Sequence, residues 1–356
     1  MDGGPRPARR SRYPGFMPAD VRAFLSRILC AIAALALSPL AAHAAGNALA
    51  CANTAAHVPA PPRAVAMATA ALQEHARFGG QTLDAHGRLT QAGASEAEDG
   101  PLMPGSTAPW RRVLAYWRAV DPDDAGLPSQ VRFGALRPAD RALLKQALNQ
   151  ATSARLQGLG VGPDQGLDAS ELRAATTALD RVAVMDTPWS AAFVSWLAVQ
   201  AGLAPDEFAF SEAHVDYAGA AWQAGLAEAA GEAPRHAMRA CDLMLTSPRR
   251  GDLVCHARGA GAGLDSFERL GAVLSERPTG GRALPMHCDV VVAVDAGGFD
   301  AVGGNVLQSV SLRRLDFAPG ALLDPSYRTD GCAPTDAGCT DRHMSRQPWS
   351  LLLQWR

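Results

Sequence analysis

The chain has 356 residues, 48% of them hydrophobic and 19% charged, with a formal net charge of -2 at pH 7. This length is sufficient for one large or two modest domains with a sizeable core. A net charge so near zero gives no support to binding of nucleic acid or of an anionic membrane surface, because both depend on concentrated positive charge. We therefore expect no nucleic-acid partner.

The N-terminus has the features of an export signal. Basic residues precede an apolar run over residues 28–37, and Ala42-His43-Ala44 supplies small residues at the spacing of a cleavage site. We expect residues 1–44 to be a signal peptide and the mature protein to be periplasmic or secreted. The apolar run is too short to span a bilayer as a mature helix, so no stable transmembrane segment is predicted after cleavage.

Two alternatives remain for this end of the chain. Met17 can be the true start, since the residues after it form a compact export signal. A lipoprotein attached at Cys51 is less favoured, because residues 48–50 are a poor lipobox and lie beyond the better cleavage site.

Cleavage removes Cys30 and leaves an even number of cysteines, a pattern that predicts disulfides in an oxidising compartment. Cys332 and Cys339 flank a short loop containing Pro and Gly and are the easiest pair to join. The next candidates are Cys255 and Cys288. A bond between the remaining pair would follow by elimination only; these are Cys51 and Cys241.

The first part of the mature chain is predicted to be mainly helical. Residues 45–62 are rich in Ala and Pro and are interpreted as an extended lead-in. Apolar residues then recur at helical spacing, separated by loops rich in Gly and Pro, over residues 63–78, 110–120, 138–157 and 167–184. We interpret residues 45–185 as a helical N-terminal region and residues 186–356 as an α+β domain.

The segment over residues 186–202 predicts an apolar helix with Ser190 in its first turn. Thr187 is the expected cap, Pro188 suits the first helical position, and Gly202 suits a left-handed end. Unpaired N–H groups and the helix dipole favour negative charge at such a start. Ser190 is therefore a candidate nucleophile.

After Gly202 the chain changes from helix to strand. One helical stretch is predicted over residues 211–230. Short strands follow over residues 252–257, 288–295, 299–302, 306–312 and 349–355. Helices followed by a run of strands indicate an α+β fold with the helices on one side of an antiparallel sheet.

Alternation along the strand that His287 opens separates its two faces. His287 and Asp289 point one way, and Cys288 points the other way into an apolar layer. If this strand pairs with the earlier one, Cys255 and Cys288 share a buried side and His287 lies on the accessible side. Such a pair favours a disulfide. It argues against zinc, because the neighbouring His256 faces away from Cys255, and no metal site is predicted.

Ser190, His287 and Asn305 together form a triad-type arrangement. A nucleophile at a helix start, a histidine on a strand and a polar residue that orients the imidazole are the parts that acyl transfer needs. Asn305 follows two glycines at the end of the next strand. Asp289 is the alternative orienting residue, because it shares the face of His287.

Three further residues are weaker candidates for a groove. Ser211 and His214 lie three residues apart on the predicted helix, although a capping serine and a helix-face histidine would explain them as well. Trp189 is expected to belong to the core, and a wall of a sugar-binding or peptide-binding groove is its alternative.

The segments WSAAFVSW, RRGDLVC, HCDVVVAVD and VGGNV, in this order, resemble the papain-like NlpC and CHAP-type superfamily of cell-wall amidases and peptidases. Within it they are most similar to a bacterial domain of unknown function, 2272. The clear similarity covers residues 186–315, about a third of the chain. It implies a helix packed on a small antiparallel β-barrel, with the active groove between them.

The resemblance implies an exported hydrolase that cleaves amide bonds of peptidoglycan peptides without a cofactor. Ser190 stands where that superfamily usually has cysteine, and His287 and Asn305 match its two other polar residues. A cysteine is partly thiolate near neutral pH, whereas a serine hydroxyl must be deprotonated during attack. The alternative is therefore a catalytically inactive member that binds cell-wall fragments or a protein partner through the same groove.

Overall fold

The computed structural model describes residues 38–100, 105–121, 169–276, 284–328 and 343–356, together with positions 143, 146 and 150. Residues Gly46–Arg356 form one compact unit. Most of the predicted signal peptide, most of the helix predicted over residues 138–157 and the predicted Cys332–Cys339 bridge lie outside the described residues.

Most helical residues of the described chain come before residue 230. The helices are α1 (Ser38–His57), α2 (Pro62–Arg77), α3 (Pro109–Arg118), α4 (Ala169–Asp186), α5 (Ser190–Gln200), α6 (His214–Ala229) and α7 (Phe267–Glu276). The predictions of helices at α2 and α3 are confirmed, each within two residues at its ends. The extended lead-in is wrong, because α1 continues to His57; its many alanines have the highest helix propensity. None of the helices in the described ranges is both long and apolar enough to cross a bilayer.

The helix α5 begins at Ser190, four residues after α4 ends. Its N-cap is Trp189, and no side chain caps it. The expectation that Thr187 caps the helix and Pro188 is its first residue is therefore wrong: α4 extends to Asp186, and both residues belong to the short link.

The end of α5 follows the prediction. Gly202 has a φ of 72°, in the left-handed region that glycine adopts without strain. Gly202 N–H donates to Val199 O at 2.9 Å, and Leu203 N–H donates to Ala198 O at 3.1 Å. These two bonds form a Schellman motif, which satisfies the last carbonyls and turns the chain away from the helix.

The strands form one mixed sheet. They are β1 (Gln81–Leu83), β2 (Leu89–Gln91), β3 (Met238–Asp242), β4 (Leu253–Ala257), β5 (Met286–Val294), β6 (Gly298–Val306), β7 (Ser309–Ala318), β8 (Leu322–Leu323) and β9 (Trp349–Trp355). The strand order is β2-β1-β7-β6-β5-β4-β9-β3, with β8 paired to β7. The α+β class is therefore confirmed, and every predicted strand is present; β1, β2, β3 and β8 were not predicted.

The expected β-barrel is wrong. In the described part of the chain the path of strands runs from β2 to β3 without closing, and only β1 and β7 are parallel. Closure would require the two end strands to pair with each other. The short β1–β2 hairpin instead extends one edge of the sheet beyond β7.

The pairing of β4 with β5 agrees with the strand alternation. The two strands are antiparallel, and Cys255 lies opposite Cys288 while His256 lies opposite His287. Cys255 and Cys288 are joined in a disulfide, as predicted. The two histidines therefore come from neighbouring strands directly beside this bridge.

A second disulfide joins Cys51 of α1 to Cys241 of β3. Elimination alone had suggested this pair. Both residues are buried in an apolar cluster with Val254 and Leu352, on the face of the sheet opposite Cys255 and Cys288. The bridge therefore ties α1 to an end strand of the sheet.

The main core lies between the helices and the face of the sheet that carries Cys255 and Cys288. Met67 of α2, Phe193 of α5 and Tyr217 of α6 are fully buried in it. Residues from before position 186 therefore supply α2 and β1 to the same core and sheet as the later residues.

Removing the Cys51–Cys241 bridge is expected to destabilise the fold. The chain between the two cysteines is long, with a sequence separation of 190. A cross-link over a long loop restricts the unfolded chain, and native bridges typically contribute about 2–4 kcal/mol. Urea unfolding of the Cys51→Ala/Cys241→Ala variant should show a loss of this size, with the Cys255–Cys288 bridge verified by mass spectrometry. An unchanged urea midpoint would contradict this role.

Candidate functional site

Ser190 occupies the electrostatically favoured start of α5. The first bond within this helix runs from Phe193 N–H to Trp189 O at 2.9 Å. The N–H groups of residues 190–192 therefore have no acceptor within the helix. Together with the helix dipole, they favour negative charge beside the serine. Ser190 is 2% exposed, so this charge would develop in a site shielded from water.

Ser190 is hydrogen-bonded to His214, the first residue of α6. Ser190 Oγ lies 2.7 Å from His214 Nε2, and the other ring nitrogen of His214 is bonded to the hydroxyl of Tyr217. His214 and Tyr217 are three residues apart on one face of α6. The structure thus links a serine, a histidine and a tyrosine in one buried chain of hydrogen bonds.

His214 is a neutral imidazole at neutral pH. Burial lowers its pKa well below the ordinary value, and the neighbouring His287 and Arg258 lower it further. A neutral ring can accept a proton at one nitrogen while it donates at the other. Burial raises the pKa of Tyr217, so its phenol stays protonated. His214 is therefore in the state that can take a proton from Ser190.

Ser211 fixes the loop that leads into His214. The hydroxyl of Ser195, on α5, donates to Ser211 O at 2.8 Å and accepts from Ser211 N–H at 3.1 Å. The Ser211 hydroxyl donates to Asp216 Oδ2 at 2.6 Å and accepts from Ala213 N–H. Ser211 precedes α6 and is not in a helix with His214. Its contacts attach the start of α6 to α5.

His287 belongs to a second buried set of polar groups. Its Nε2 lies 2.7 Å from Asp289 Oδ1, and Arg313 Nε lies 2.7 Å from Asp289 Oδ2. Burial would raise the pKa of Asp289, but the charges of Arg313 and His287 outweigh it and hold the pKa at about 2. An ionised carboxylate only accepts, so His287 Nε2 carries a hydrogen. The other ring nitrogen, Nδ1, is left for the site.

The two sets meet through their histidine rings. The ring centroids of His214 and His287 are 5.2 Å apart, and those of His256 and His287 are 5.7 Å apart. His256 in turn stands edge-on to Trp349 at 4.7 Å. His287 is 6% exposed, so the expectation that it lies on an accessible side is wrong. The adjacent His214 and His256 rings contribute to its burial.

The predicted triad residues do not all contact one another. Ser190 is bonded to His214, and the bonded partner of His287 is Asp289, the alternative that shares its face. Asn305 instead donates from its amide to Glu96 Oε2 at 2.7 Å. The catalytic roles of Ser190, His287 and Asn305 stay predictions.

Trp189 is fully buried and also bonded to Glu96. Its indole N–H donates to Glu96 Oε2 at 2.5 Å, and its ring packs against Phe78 and Tyr116. Because the ring is enclosed by these aromatic residues, the expected core position is the one observed. The alternative of a groove wall is not the one observed.

Two glycines of β6 allow close packing at the site. A Cβ on Gly303 would lie 1.9 Å from Asp289 Oδ1, and a Cβ on Gly304 would lie 2.7 Å from Phe193 Cβ. Both distances are shorter than a non-bonded contact. Glycine at these positions therefore lets β6 approach both the partner of His287 and the helix that carries Ser190.

Sequence reasoning missed Glu96, Tyr217 and Arg313. A tyrosine three residues after His214 was a usable signal, because that spacing places both on one face of a helix. Glu96 is 93 residues from Trp189 and 209 residues from Asn305, so only tertiary packing brings it to them. Among the described residues no group of His, Cys, Asp and Glu has the arrangement of a metal site. The thiols of Cys255 and Cys288 are used in their bridge.

A comparison with protein families found one model that matches residues 159–355, more than half of the chain; its description is "Uncharacterized protein conserved in bacteria (DUF2272)". The similarity to this family inferred from the sequence is therefore confirmed. The comparisons with curated proteins and with solved structures found no match.

Gly303→Ala is expected to disrupt the Asp289–His287 pair. The added methyl group would overlap Asp289 Oδ1, and overpacking of a buried site costs about 1–3 kcal/mol. Urea unfolding should show a loss of this size, together with a changed His287 imidazole resonance. Gly219→Ala is the matched control, since a Cβ there meets no atom within 4 Å. Equal stability of wild type and Gly303→Ala would refute this packing.

The free energy of unfolding is expected to fall as pH decreases from about 6.5. Burial lowers the pKa of His256 to about 3 and that of His214 well below 6.5. The unfolded chain therefore binds protons in this range that the folded protein excludes, and the stability is lost as pH falls from 6.5 toward 3. Each histidine contributes a slope of up to about 1.4 kcal/mol per pH unit.

Urea unfolding at pH 7 and pH 4.5 checks this dependence. The loss between the two pH values should be smaller in His256→Gln and in His214→Gln than in wild type. His86→Gln, which changes an exposed histidine, is the control. An identical loss in wild type and in both buried-histidine variants would show that these residues do not titrate as inferred.

Proposed function

Since the chain belongs to the bacterial family described as uncharacterized (DUF2272), we propose that it is an exported hydrolase that cleaves amide bonds of cell-wall peptides with Ser190 as nucleophile. The observation that carries the proposal is the 2.7 Å contact between Ser190 Oγ and His214 Nε2 at the start of α5. A nucleophile bonded to a base, with free backbone N–H groups beside it, is the arrangement that acyl transfer requires.

The proposed reaction begins with proton transfer from Ser190 to His214. As Ser190 Oγ attacks the carbonyl carbon of the amide, its proton moves to His214 Nε2. The carbonyl oxygen becomes an oxyanion, which backbone N–H groups at the start of α5 stabilise. His214 then gives the proton to the leaving amine as the C–N bond breaks. Water hydrolyses the resulting ester, releases the acid and regenerates the serine.

Tyr217 supports this use of His214. For Nε2 to accept from Ser190, Nδ1 must carry the hydrogen and donate it to the Tyr217 hydroxyl oxygen. This contact holds the ring, and the Tyr217 hydroxyl can accept the hydrogen that the required tautomer carries on Nδ1. A tyrosine hydroxyl is neutral, so it stabilises the imidazolium less than a carboxylate would. The low pKa of His214 also makes it a weak base, and we therefore expect slow turnover.

His287 and Asp289 are assigned a supporting role in the proposal. The His287 ring lies against that of His214, and Asp289 holds its orientation. The negative charge of Asp289 would also compensate the positive charge formed on the His214 imidazole during attack. His287 stays the alternative base, because the centroid of its ring lies 5.2 Å from that of His214.

The cell-wall substrate and the exported location rest on two further observations. The order of the segments around Ser190, Cys255, His287 and Asn305 is similar to that in NlpC and CHAP-type amidases and peptidases. The two disulfides fit an oxidising compartment such as the periplasm or the cell exterior.

A second candidate function is a catalytically inactive member that binds cell-wall fragments or a protein partner. The observation that favours it is burial: Ser190, His214 and His287 are 2%, 3% and 6% exposed. A substrate would have to displace part of the structure to reach the serine. Ser190 also stands at a position where the similar enzymes have cysteine, and this difference favours the inactive alternative too.

A fluorophosphonate probe should label Ser190 and distinguish the two histidines. Ser190→Ala should abolish labelling, and His214→Gln should slow it by about 100-fold or more, as expected for loss of a general base. His287→Gln should have a smaller effect. Mass spectrometry of the labelled peptide measures the rate, with Ser326→Ala and His86→Gln, both at exposed positions, as controls. If His287→Gln alone stops labelling, the base is His287 and not His214.

Incubation with purified peptidoglycan tests the substrate. Wild type should release new amino groups, and Ser190→Ala should release none. Ser190→Cys tests whether the site accepts the nucleophile that similar enzymes use. If wild type binds the wall but releases no amino groups, the inactive alternative is supported. Release by Ser190→Ala at the wild-type rate would reject the nucleophile.

A further inference from the structure

We propose that Glu96 is a positioning residue that holds the start of α5 and the end of β6 together around Ser190. This inference rests on the proposed function for its catalytic meaning. Glu96 lies outside residues 159–355, the part of the chain that the family model matches. The site would then be incomplete without a residue from the N-terminal part of the chain.

Two side chains from distant elements converge on one oxygen of Glu96. Trp189 Nε1 donates to Oε2 at 2.5 Å, and Asn305 Nδ2 donates to the same atom at 2.7 Å. Trp189 is the residue directly before Ser190, and Asn305 lies near the end of β6. Glu96 is 5% exposed, so water competes little for these bonds. A buried carboxylate that accepts two N–H groups constrains both donors.

The backbone around Glu96 is itself attached to the turn between β6 and β7. Glu96 N–H donates to Gln308 O at 2.7 Å, and the Ser309 hydroxyl donates to Ala94 O at 2.8 Å. Ala94 N–H donates to Phe78 O at 2.7 Å, which connects the loop to the end of α2. Residues 94–96 therefore form a bridge between α2 and this turn.

The turn that the bridge holds has an unfavourable backbone. Asn305, Leu307 and Gln308 have φ values of 57°, 51° and 58°. Positive φ at both central residues of a two-residue hairpin favours Asn-Gly, and leucine and glutamine have no such preference. Such a conformation persists where surrounding contacts impose it. The bonds from residues 94–96 are contacts of this kind.

The end of β6 transmits this constraint to the site. Gly303 packs directly against Asp289 Oδ1, the atom that binds His287, and Gly304 packs against Phe193 of α5. A shift of β6 would therefore move Asp289 and α5 together. Glu96 thus acts through Trp189 on the nucleophile and through Asn305 on the partner of His287.

Three substitutions test the proposal on the full mature chain. Glu96→Ala removes both acceptor contacts. Glu96→Gln keeps an oxygen that can accept from Trp189 and Asn305, and it should therefore restore the wild-type arrangement of the site. Glu98→Gln is the matched control, because it makes the same change of charge two residues away at an exposed position. Thermal unfolding verifies that each variant is folded.

The first measurement is independent of activity. In protein with ¹⁵N-labelled histidine, the imidazole resonances of His214 and His287 should shift or broaden in Glu96→Ala and return in Glu96→Gln. Unchanged resonances in a folded Glu96→Ala would overturn the proposal. If Glu96→Ala does not fold, Asn305→Gly replaces it, since glycine suits the φ of 57° and the variant loses only the amide donor. Unchanged His287 resonances in Asn305→Gly would then overturn the proposal.

The second measurement is the rate of fluorophosphonate labelling of Ser190. It should fall about 10- to 100-fold in Glu96→Ala, as misplacement of reacting groups by an ångström predicts, and stay near the wild-type rate in Glu96→Gln and Glu98→Gln. A wild-type rate in Glu96→Ala would also overturn the proposal. If wild type is not labelled but the resonances move as expected, the positioning role stands and the proposed hydrolase function fails.

Discussion

The side chains of Ser190, His214, His287 and Asp289 are removed from water, and this burial constrains the elements that carry them. A hydroxyl, an imidazole or a carboxylate removed from water is costly unless it has a hydrogen-bond partner. Ser190 is therefore hydrogen-bonded to His214, and His214 to Tyr217. Asp289 is hydrogen-bonded to His287 and forms an ion pair with Arg313. The Ser190–His214 and Asp289–Arg313 pairs each join two different elements of the fold. His214 and Tyr217 lie on one helix, and His287 and Asp289 lie on one strand.

These pairings explain why elements far apart in the sequence pack as one body. The Ser195–Ser211 bonds connect α5 to the start of α6, and the Cys255–Cys288 bridge connects β4 to β5. Glu96 connects residues 94–96 both to the start of α5 and to β6. The same contacts that satisfy buried groups also bring the Ser190 hydroxyl at the start of α5 together with the imidazoles of His214 and His287. Stability and any chemistry of the site therefore depend on the same residues.

The position of His214 is a main difference between the site and its sequence-based prediction. Strand alternation correctly placed His287 and Asp289 on one face, because the period of two holds whatever the strand packs against. It did not show that Ser190 would be bonded to His214, whose ring contacts that of His287. The start of α6, and with it the position of His214, depends on the loop contacts of Ser211, which no local pattern encodes.

Local sequence patterns were sufficient to predict the α+β class, the bounds of β9, the left-handed end of α5 at Gly202, the Cys255–Cys288 pairing and the family. All of these follow from short-range periodicity, glycine conformation or ordered motifs. Tertiary packing, by contrast, decided that the sheet of described strands is open, that α1 is joined to β3 through Cys51 and Cys241, and that Ser190 is bonded to His214. It also decided that Glu96 bonds Trp189 and Asn305. These contacts join residues tens to hundreds of positions apart, and packing of the whole chain selects them.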